Sequence, residues 1–272
     1  MEAEAGGAVV HYVEHGDGLP VVALHGAGVD HREMAGALEP VFRGRPGYRR
    51  VYPDLPGMGR TPVPDRLRGS DDVLDLLLGL IDAVVGEQQF AIVGHSFGGY
   101  LARGIAARRP AQVAGLALIC PLGEEPRDVP AHEVLHASAD VADAADVADA
   151  LSPAEQDSFR DYFVVQTPAT VERFREYVAP ALPLVDRDGL GRVFEQWRLS
   201  DTSAYAGPTL ILAGRQDATV GYAGAWDLVA RYPHATYAVL DRAGHALPHE
   251  QTGLLTALIA EWLDRVDEHR AA

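Results

Sequence analysis

Short apolar runs alternate with stretches of helical periodicity from residue 20 onward, which is typical of repeated strand–helix–strand units. Nearly every position of each run is apolar, as expected for strands buried on both faces of a parallel sheet. An earlier run, Val9 to Glu14, predicts an antiparallel edge strand. The predicted parallel strands are Val21 to Leu24, Arg50 to Tyr52, Phe90 to Val93, Leu116 to Ile119, Thr209 to Leu212 and Tyr237 to Leu240.

The helical stretches between these runs carry start and stop signals. Ser70, Asp71 and Asp72 predict an N-cap and an acidic first turn for a helix that covers one face of the sheet. Its apolar stripe consists of Leu74, Leu77, Leu78, Ile81 and Val85. A second helix is predicted to begin at Ser96 and to end at Arg108-Arg109-Pro110, because proline and a basic last turn are typical of helix ends.

The strand rhythm stops from about Gly123 to Ser203, and helices are predicted instead. Ser152-Pro153-Ala154-Glu155 matches a capping box with proline at the first helical position, and Thr167-Pro168 opens another helix. The Ala/Asp-rich near-repeat from Asp140 to Ala150 predicts a solvated helix with an apolar stripe of Val141, Ala145, Ala148 and Leu151. The expected apolar underside of this segment consists of Phe159, Tyr162, Phe163, Phe174, Tyr177, Phe194 and Trp197.

The pentapeptide Gly94-His95-Ser96-Phe97-Gly98 follows directly on the predicted strand Phe90 to Val93 and matches the pattern GxSxG. A serine between a strand and a helix adopts a strained backbone that projects its hydroxyl clear of the sheet, and the flanking glycines leave room for the helix. The first N–H groups of that helix, including that of Phe97, would face negative charge on a substrate carbonyl. The motif therefore predicts Ser96 as a nucleophile.

A serine nucleophile needs a base and a carboxylate that orients the base. The strand-like run Thr209 to Leu212 leads into Asp217, and the run Tyr237 to Leu240 leads toward His245. We therefore predict a triad of Ser96, Asp217 and His245. The order Ser, Asp, His along the chain differs from the orders of chymotrypsin and subtilisin.

Over nearly its whole length the chain resembles the α/β-hydrolase fold superfamily. His25-Gly26-Ala27-Gly28 resembles the HGxG oxyanion loop of that family. The segment Asp54 to Arg60 resembles its DxPGxGxS turn, with Arg60-Thr61 where a serine is more usual. The resemblance implies a mostly parallel eight-stranded sheet flanked by helices, with a helical cap inserted after strand six. It assigns residues 1–122 and 204–272 to the hydrolase core and 123–203 to the cap, or lid.

The predicted mechanism gives each site residue a role. His245 takes the proton of Ser96, Asp217 holds the imidazole, and the backbone N–H groups of Ala27 and Phe97 form the oxyanion hole. Two alternatives stay open for the triad. His249, which would be a surface or capping residue, is a second candidate for the base, and Glu124 and Glu125 are second candidates for the acid. His25 and His95 are expected to be structural neighbours of the site.

Composition limits the partners. The formal charge of −16 disfavours nucleic acids and anionic membranes, and all 23 basic residues are arginines, so no lysine is available for Schiff-base or Walker-type chemistry. No motif implies a cofactor or a metal. The single cysteine, Cys120, is expected to be a buried residue at the end of a strand. We expect a cytoplasmic protein, because the N-terminus lacks the features of a leader; the oligomeric state, monomer or homodimer, stays open.

The residues favour a hydrolase that cleaves a small or medium carboxylic ester through an acyl-enzyme on Ser96. The main alternative is a carbon–carbon bond hydrolase acting on ring-cleavage products, which uses the same triad. A third, from another functional class, is a triad-bearing receptor whose lid moves when a small molecule binds. The aspartate-nucleophile branches, epoxide hydrolases and haloalkane dehalogenases, are disfavoured because the turn carries serine.

Overall fold

A computed structural model describes residues 1–123, 125–137 and 151–272 of the chain. Its eight-stranded sheet contains β1 (Glu2–Ala5), β2 (Ala8–His15), β3 (Leu19–Leu24), β4 (Tyr48–Pro53), β5 (Phe90–His95), β6 (Val113–Ile119), β9 (Thr209–Gly214) and β10 (Ala235–Leu240). The spatial order is β1-β2-β4-β3-β5-β6-β9-β10, and only the β1–β2 and β2–β4 pairs are antiparallel. This confirms the predicted eight-stranded, mostly parallel sheet.

The predicted edge strand is not the outermost strand of the sheet. The run Val9 to Glu14 lies in β2 and is antiparallel to β4, as predicted, but β1 pairs with its other side. The outer strand is therefore Glu2–Ala5, whose strict alternation of glutamate and alanine is a weak apolar signal. A separate two-stranded sheet joins β7 (His136–Ala137) to β8 (Val165–Gln166).

Helices cover both faces of the main sheet. The helices of the described residues are α1 (His31–Phe42), α2 (Ser70–Val84), α3 (Ser96–Arg108), α4 (Pro153–Tyr162), α5 (Pro168–Tyr177), α6 (Arg187–Phe194), α7 (Ala223–Asp227), α8 (Leu247–Glu250) and α9 (Thr252–Ala271), with 3-10 turns at Ala179–Leu184 and Leu228–Arg231. Of these, α4, α5 and α6 lie in the segment inserted between β6 and β9 and not on the main sheet. One buried cluster packs α2 and α3 on one face, and a second packs α1 and α9 on the other. Burial on both faces explains why the central strands read as continuous apolar runs.

The predicted cap of α2 is wrong in detail. Gly69 is the N-cap residue, and the hydroxyl of Ser70 is buried without a hydrogen-bond partner in the described part of the chain. The backbone N–H of Ser70 instead donates to the carbonyl of Gln196 at 3.0 Å. A long-range backbone contact, which local sequence does not encode, therefore fixes the start of this helix.

The segment between β6 and β9 contains α4, α5 and α6. Both predicted capping signals are confirmed, since Ser152 and Thr167 cap α4 and α5 with proline at the first helical position. Phe159, Phe163 and Phe174 form a third buried cluster, with partly buried Tyr162 against it. The helix predicted for Asp140 to Ala150 lies outside the described residues, and the division into core and cap at residues 123 and 203 stays a prediction.

In the described part of the chain we find no helix with the length and apolar character that crossing a bilayer requires.

Candidate active site

Ser96 lies at the turn between β5 and α3, with its backbone in the left-handed region at a φ of 51°. The turn is possible because its glycines pack against backbone. A Cβ atom on Gly98 would lie 2.4 Å from the carbonyl oxygen of Leu24, and one on Gly94 would lie 2.4 Å from that of Gly98. Strand, turn and helix therefore pack too closely here for any side chain at these two positions.

His245 and Asp217 reach Ser96 from loops that follow β10 and β9. The Nε2 atom of His245 lies 2.8 Å from Oγ of Ser96, and its Nδ1 atom lies 2.7 Å from Oδ2 of Asp217. Oδ1 of Asp217 accepts the N–H groups of Thr219 and Val220, each at 2.9 Å. The structure thus brings together all three residues of the predicted triad.

Asp217 is held in its ionised form although it is fully buried. Burial alone would raise its pKa, but the facing imidazole of His245 and the two backbone N–H donors lower the pKa below its ordinary value. An ionised acid fixes the proton of His245 on Nδ1. Nε2 is then free to accept the hydroxyl proton of Ser96.

The predicted oxyanion loop follows β3, and Ala27 lines the same two clefts as Ser96. The N–H of Gly26 donates to Glu33, and the N–H of Gly28 points to the sulfur of Met58 at 3.2 Å. No acceptor for the N–H of Ala27 lies among the described residues. Phe97 occupies the first turn of α3, where backbone N–H groups have no partner within the helix. Ala27 and Phe97 are therefore the available backbone donors next to Ser96.

A buried pair not anticipated from the sequence lies behind the triad. Nδ1 of His95 is 3.0 Å from Oε1 of Glu33, an ion-pair distance without the geometry of a good hydrogen bond. Nε2 of His95 donates to the backbone carbonyl of His245 at 3.0 Å. Burial by itself would lower the pKa of His95 and raise that of Glu33. Because the two groups face each other with opposite charges, the pKa of His95 is instead raised and that of Glu33 is lowered well below its usual range.

Glu33 was missed because nothing local distinguishes it. It lies in the first turn of α1, where acidic residues are common because they suit the helix N-terminus. Glu39 lies on the same helix, and nothing in the local sequence shows that Glu33 is fully buried while Glu39 is not. A fully buried glutamate is rare without a partner, and the partners of Glu33, His95 and Gly26, become visible only in the folded chain.

The structure also places the alternative base and one of the two alternative acids. His249 is only 2% exposed and stacks on Tyr177 with its Nδ1 near Arg173, so its predicted surface position is wrong. Burial lowers the pKa of His249 to about 3. The exposed carboxylate of Glu125 lies 3.8 Å from the guanidinium of Arg198, and Glu124 lies outside the described residues. Among the residues that the structure describes, His245 and Asp217 are the candidates that combine with Ser96.

His25 is a structural neighbour of the site. Its Nε2 accepts the N–H of Leu55 at 2.9 Å, and its Nδ1 donates to the carbonyl of Gly26 at 2.7 Å. Burial lowers the pKa of His25, in keeping with a neutral ring. The side chain therefore ties the oxyanion loop to the turn that follows β4.

In the part of the chain that the structure describes, two groups of side chains have the composition of metal ligands. His11, His31 and Asp54 form one group, in which both imidazoles contact the Asp54 carboxylate at 2.8 and 2.7 Å. That carboxylate also accepts the N–H groups of His31 and Arg60, so its oxygens already have four donors. The other group is His95, Cys120 and His245, which includes the triad base. Hydrogen bonding accounts for both groups as they stand. Cys120 is buried just after β6, as predicted.

Ser96 lines two clefts, which share only Ser96 and Ala27 among their described lining residues. The smaller, of about 180 Å³, contains His245, His95, Glu33, Ser158 and Tyr162 together with apolar residues of the inserted segment. We call it the polar cleft. The larger, of about 350 Å³, is lined by Phe97, Tyr100, Leu122, Phe194, Trp197 and Val220. We call it the apolar cleft.

Comparison with known proteins agrees with this geometry. A family model described as alpha/beta hydrolase fold matches residues 20–252. The chain is 25% identical over 270 residues to a 2-hydroxymuconate semialdehyde hydrolase of Pseudomonas putida, covering 98% of this chain and 94% of that one. It is 34% identical over 104 residues to a pimeloyl-[acyl-carrier protein] methyl ester esterase of Legionella pneumophila, a match that spans only 38% of either chain. The crystal structure of an alpha/beta superfamily hydrolase from Oenococcus oeni PSU-1 superposes with a TM-score of 0.86 at 25% identity, covering 98% and 99% of the two chains.

Proposed function

We propose, from the premise that the chain belongs to the α/β-hydrolase fold family and is a hydrolase, that it cleaves a small or medium carboxylic ester through an acyl-enzyme on Ser96. The observation that carries the proposal is the continuous set of contacts from Asp217 through His245 to Ser96, at 2.7 and 2.8 Å. These are the distances that a nucleophile, its base and the orienting acid require.

The chemistry proceeds in two similar halves. Oγ of Ser96 attacks the ester carbonyl carbon while its proton passes to Nε2 of His245, and the N–H groups of Ala27 and Phe97 stabilise the resulting oxyanion. When the tetrahedral intermediate collapses, the carbon–oxygen bond to the alcohol breaks and the alcohol takes the proton from Nε2. A water molecule then repeats these steps on the acyl-enzyme and releases the carboxylic acid.

The two clefts support an assignment of the two halves of the ester. The leaving alcohol must receive its proton from His245, and His245 lines the polar cleft but not the apolar one. The alcohol portion is therefore placed in the polar cleft and the acyl portion in the apolar cleft. The aromatic side chains Phe194 and Trp197 suit an apolar acyl chain or ring.

The charge of the clefts favours a neutral ester over a substrate with a carboxylate. No arginine is among the described residues that line either cleft, and in the polar cleft the imidazole of His95 is already paired with the carboxylate of Glu33. Residues 124 and 138–150, which lie outside the described part, include no basic residue. A buried carboxylate on the substrate would meet no guanidinium here.

Carbon–carbon bond hydrolysis is the second candidate, and the full-length similarity to a 2-hydroxymuconate semialdehyde hydrolase favours it. The name of that substrate specifies a carboxylate. Because no arginine lines the clefts and the imidazole of His95 is already paired with Glu33, we rank this activity below ester hydrolysis. A dienoate ring-cleavage product is therefore the competing substrate in the test.

The test is a pre-steady-state burst assay with p-nitrophenyl esters of short and medium acyl chains, on the wild type and Ser96→Ala side by side. We expect a burst of one p-nitrophenolate per active site that Ser96→Ala lacks. Turnover of a dienoate with no ester turnover would favour carbon–carbon hydrolysis instead. A rise in melting temperature with a small molecule that neither protein turns over would indicate a receptor.

A further inference from the structure

The fully buried carboxylate of Glu33 contacts three segments that come from distant parts of the chain. Oε2 accepts the N–H of Gly26 in the oxyanion loop at 2.9 Å. Oε1 accepts the hydroxyl of Tyr162, at the end of α4, at 3.2 Å and lies 3.0 Å from Nδ1 of His95, the residue before Ser96. One carboxylate therefore joins the oxyanion loop, the nucleophile turn and the inserted helical segment.

His95 extends this set of contacts to the base. Its Nε2 donates to the backbone carbonyl of His245 at 3.0 Å, and the two imidazole rings lie 5.0 Å apart between centroids. Through one intervening side chain, Glu33 is thus connected to the loop that carries the base. The carboxylate of Glu33 forms no hydrogen bond or ion pair with Ser96 or with the ring of His245.

The oxyanion loop approaches the nucleophile turn closely at the point where Glu33 holds it. A Cβ atom on Gly26 would lie 3.0 Å from Nδ1 of His95 and 3.4 Å from Cβ of Ser96. Because the N–H of Gly26 is fixed, the next N–H along the chain, that of Ala27, has little freedom to turn away from Ser96. An oxyanion donor that is a few tenths of an ångström out of place loses much of its effect on the transition state.

We infer that Glu33 is a positioning residue, which holds the oxyanion loop and, through His95, the backbone of the catalytic-base loop in register with Ser96. This inference rests on the proposed function, because it assumes that Ser96 reacts and that Ala27 stabilises the oxyanion. The ion pair with His95 supplies the second contact, and the Tyr162 hydroxyl links the same carboxylate to the inserted segment.

A buried ion pair that only stabilised the fold would have a different signature. Removing it would lower the melting temperature, but folded molecules would react at the same rate as before. A positioning role predicts slower reaction of molecules that are fully folded. It also predicts a lower kcat with little change in KM, since the oxyanion donors act in the transition state more than in substrate binding.

The experiment measures the second-order rate constant for phosphonylation of Ser96 by a fluorophosphonate, well below the melting temperature of each variant. This reagent needs the nucleophile, the base and the oxyanion donors but no knowledge of the natural substrate. The variants are Glu33→Ala and Glu33→Gln, and the control is Glu39→Gln. Glu39 lies on the same helix but pairs with Arg50 and Tyr52.

We expect Glu33→Ala to lower the rate constant by about 30- to 100-fold, somewhat less than removal of one oxyanion donor in related sites. Glu33→Gln should lower it by about 3- to 10-fold, since the amide oxygen still accepts the N–H of Gly26 and the amide nitrogen can donate to a neutral His95. Glu39→Gln should stay within about twofold of the wild type. On any ester that the protein hydrolyses, the Glu33 variants should lose kcat and retain KM.

Rate constants for both Glu33 variants within twofold of the wild type would overturn the inference, whatever the melting temperatures. If Glu33→Ala does not fold, the isosteric Glu33→Gln decides alone. The proposed function fails separately: a wild type that is phosphonylated at Ser96 but turns over no ester refutes ester hydrolysis, while the ratio between variant and wild type still decides the role of Glu33. A wild type that is not phosphonylated at Ser96 overturns both.

Discussion

The carboxylate of Glu250 accepts the backbone N–H of Gly244 at 2.7 Å, directly before His245 in the chain. Its other oxygen accepts the N–H groups of Val164 and Val165, at 2.7 and 3.0 Å. One acid thus joins the loop of the triad base to the segment inserted between β6 and β9. Burial raises the pKa of Glu250 to about 7, although three N–H donors oppose the shift.

We predict that this group makes the protein less stable as the pH rises from about 4.5 to about 7. A carboxyl with a higher pKa in the folded than in the unfolded state binds protons more tightly when folded, so its contribution is complete below the unfolded pKa and is lost as the pH passes the folded one. A shift of this size corresponds to a change on the order of 3 kcal/mol in the free energy of unfolding. The stability difference between wild type and Glu250→Gln, measured by urea unfolding, should change across this interval.

Glu250→Gln also loses hydrogen bonds, which changes its free energy of unfolding by the same amount at every pH. The prediction therefore concerns how the stability difference from the wild type varies with pH. The control is Glu261→Gln, because Glu261 is half exposed on α9 and pairs with Arg265. That variant should follow the wild type at every pH. A difference between Glu250→Gln and wild type that is the same at pH 4.5 and pH 8 would contradict the prediction.

Gly98→Ala should destabilise the protein by about 2–3 kcal/mol, because the new methyl group meets the carbonyl oxygens of Leu24 and His25 at 2.4 and 2.5 Å. Gly191→Ala is the matched control in another helix, where a Cβ atom meets nothing within 4 Å. It should be neutral or stabilising by up to about 1 kcal/mol, since alanine favours helix. Thermal unfolding of the two variants measures the difference. Equal melting temperatures would show that the backbone around residue 98 shifts to accept the methyl group, which would contradict the prediction.

Ser96→Gly and Ser96→Ala should both be inactive, but the glycine variant should be more stable by about 1 kcal/mol. Both variants lose the contact with His245, so that loss cancels when their stabilities are compared. The remaining difference in the free energy of unfolding is the cost to alanine of the positive φ at position 96, which glycine adopts without strain. Chemical denaturation of the two proteins measures it. Equal stabilities would mean that the turn relaxes once the hydroxyl is gone.

Asp217→Asn should fold and lose about 10²- to 10⁴-fold in kcat, because the amide no longer fixes the tautomer or stabilises the charged ring of His245. Steady-state hydrolysis of the best p-nitrophenyl ester measures the loss. The control is Asp227→Asn, an exposed aspartate that pairs with Arg127, which should leave kcat unchanged. A loss of less than tenfold in Asp217→Asn would move the acid to the loop after Ile119.

The predictable features are those with a local cause. Apolar runs marked the buried strands because both faces of a parallel sheet are covered. The helix starts at Ser152 and Thr167 were predictable because the capping residues lie within one turn of the groups they bind. Ser70 was predicted to be the N-cap residue of α2, but Gly69 is the N-cap residue. The backbone N–H of Ser70 instead donates to the carbonyl of Gln196, a contact that the local sequence does not encode.

The sequence by itself determined the fold class and the three residues of the candidate triad, because the GxSxG turn, the strand ends and the chain order are local patterns. Only the tertiary structure decided that Glu2–Ala5 is the outer strand, that His249 is buried, and that Glu33 lies behind the nucleophile. β1 pairs with the neighbouring strand β2, but its alternation of glutamate and alanine is too weak an apolar signal to predict a strand. His249 and Glu33 instead depend on partners far away along the chain, and the burial that gives a carboxylate or an imidazole its role arises only when those partners are packed around it.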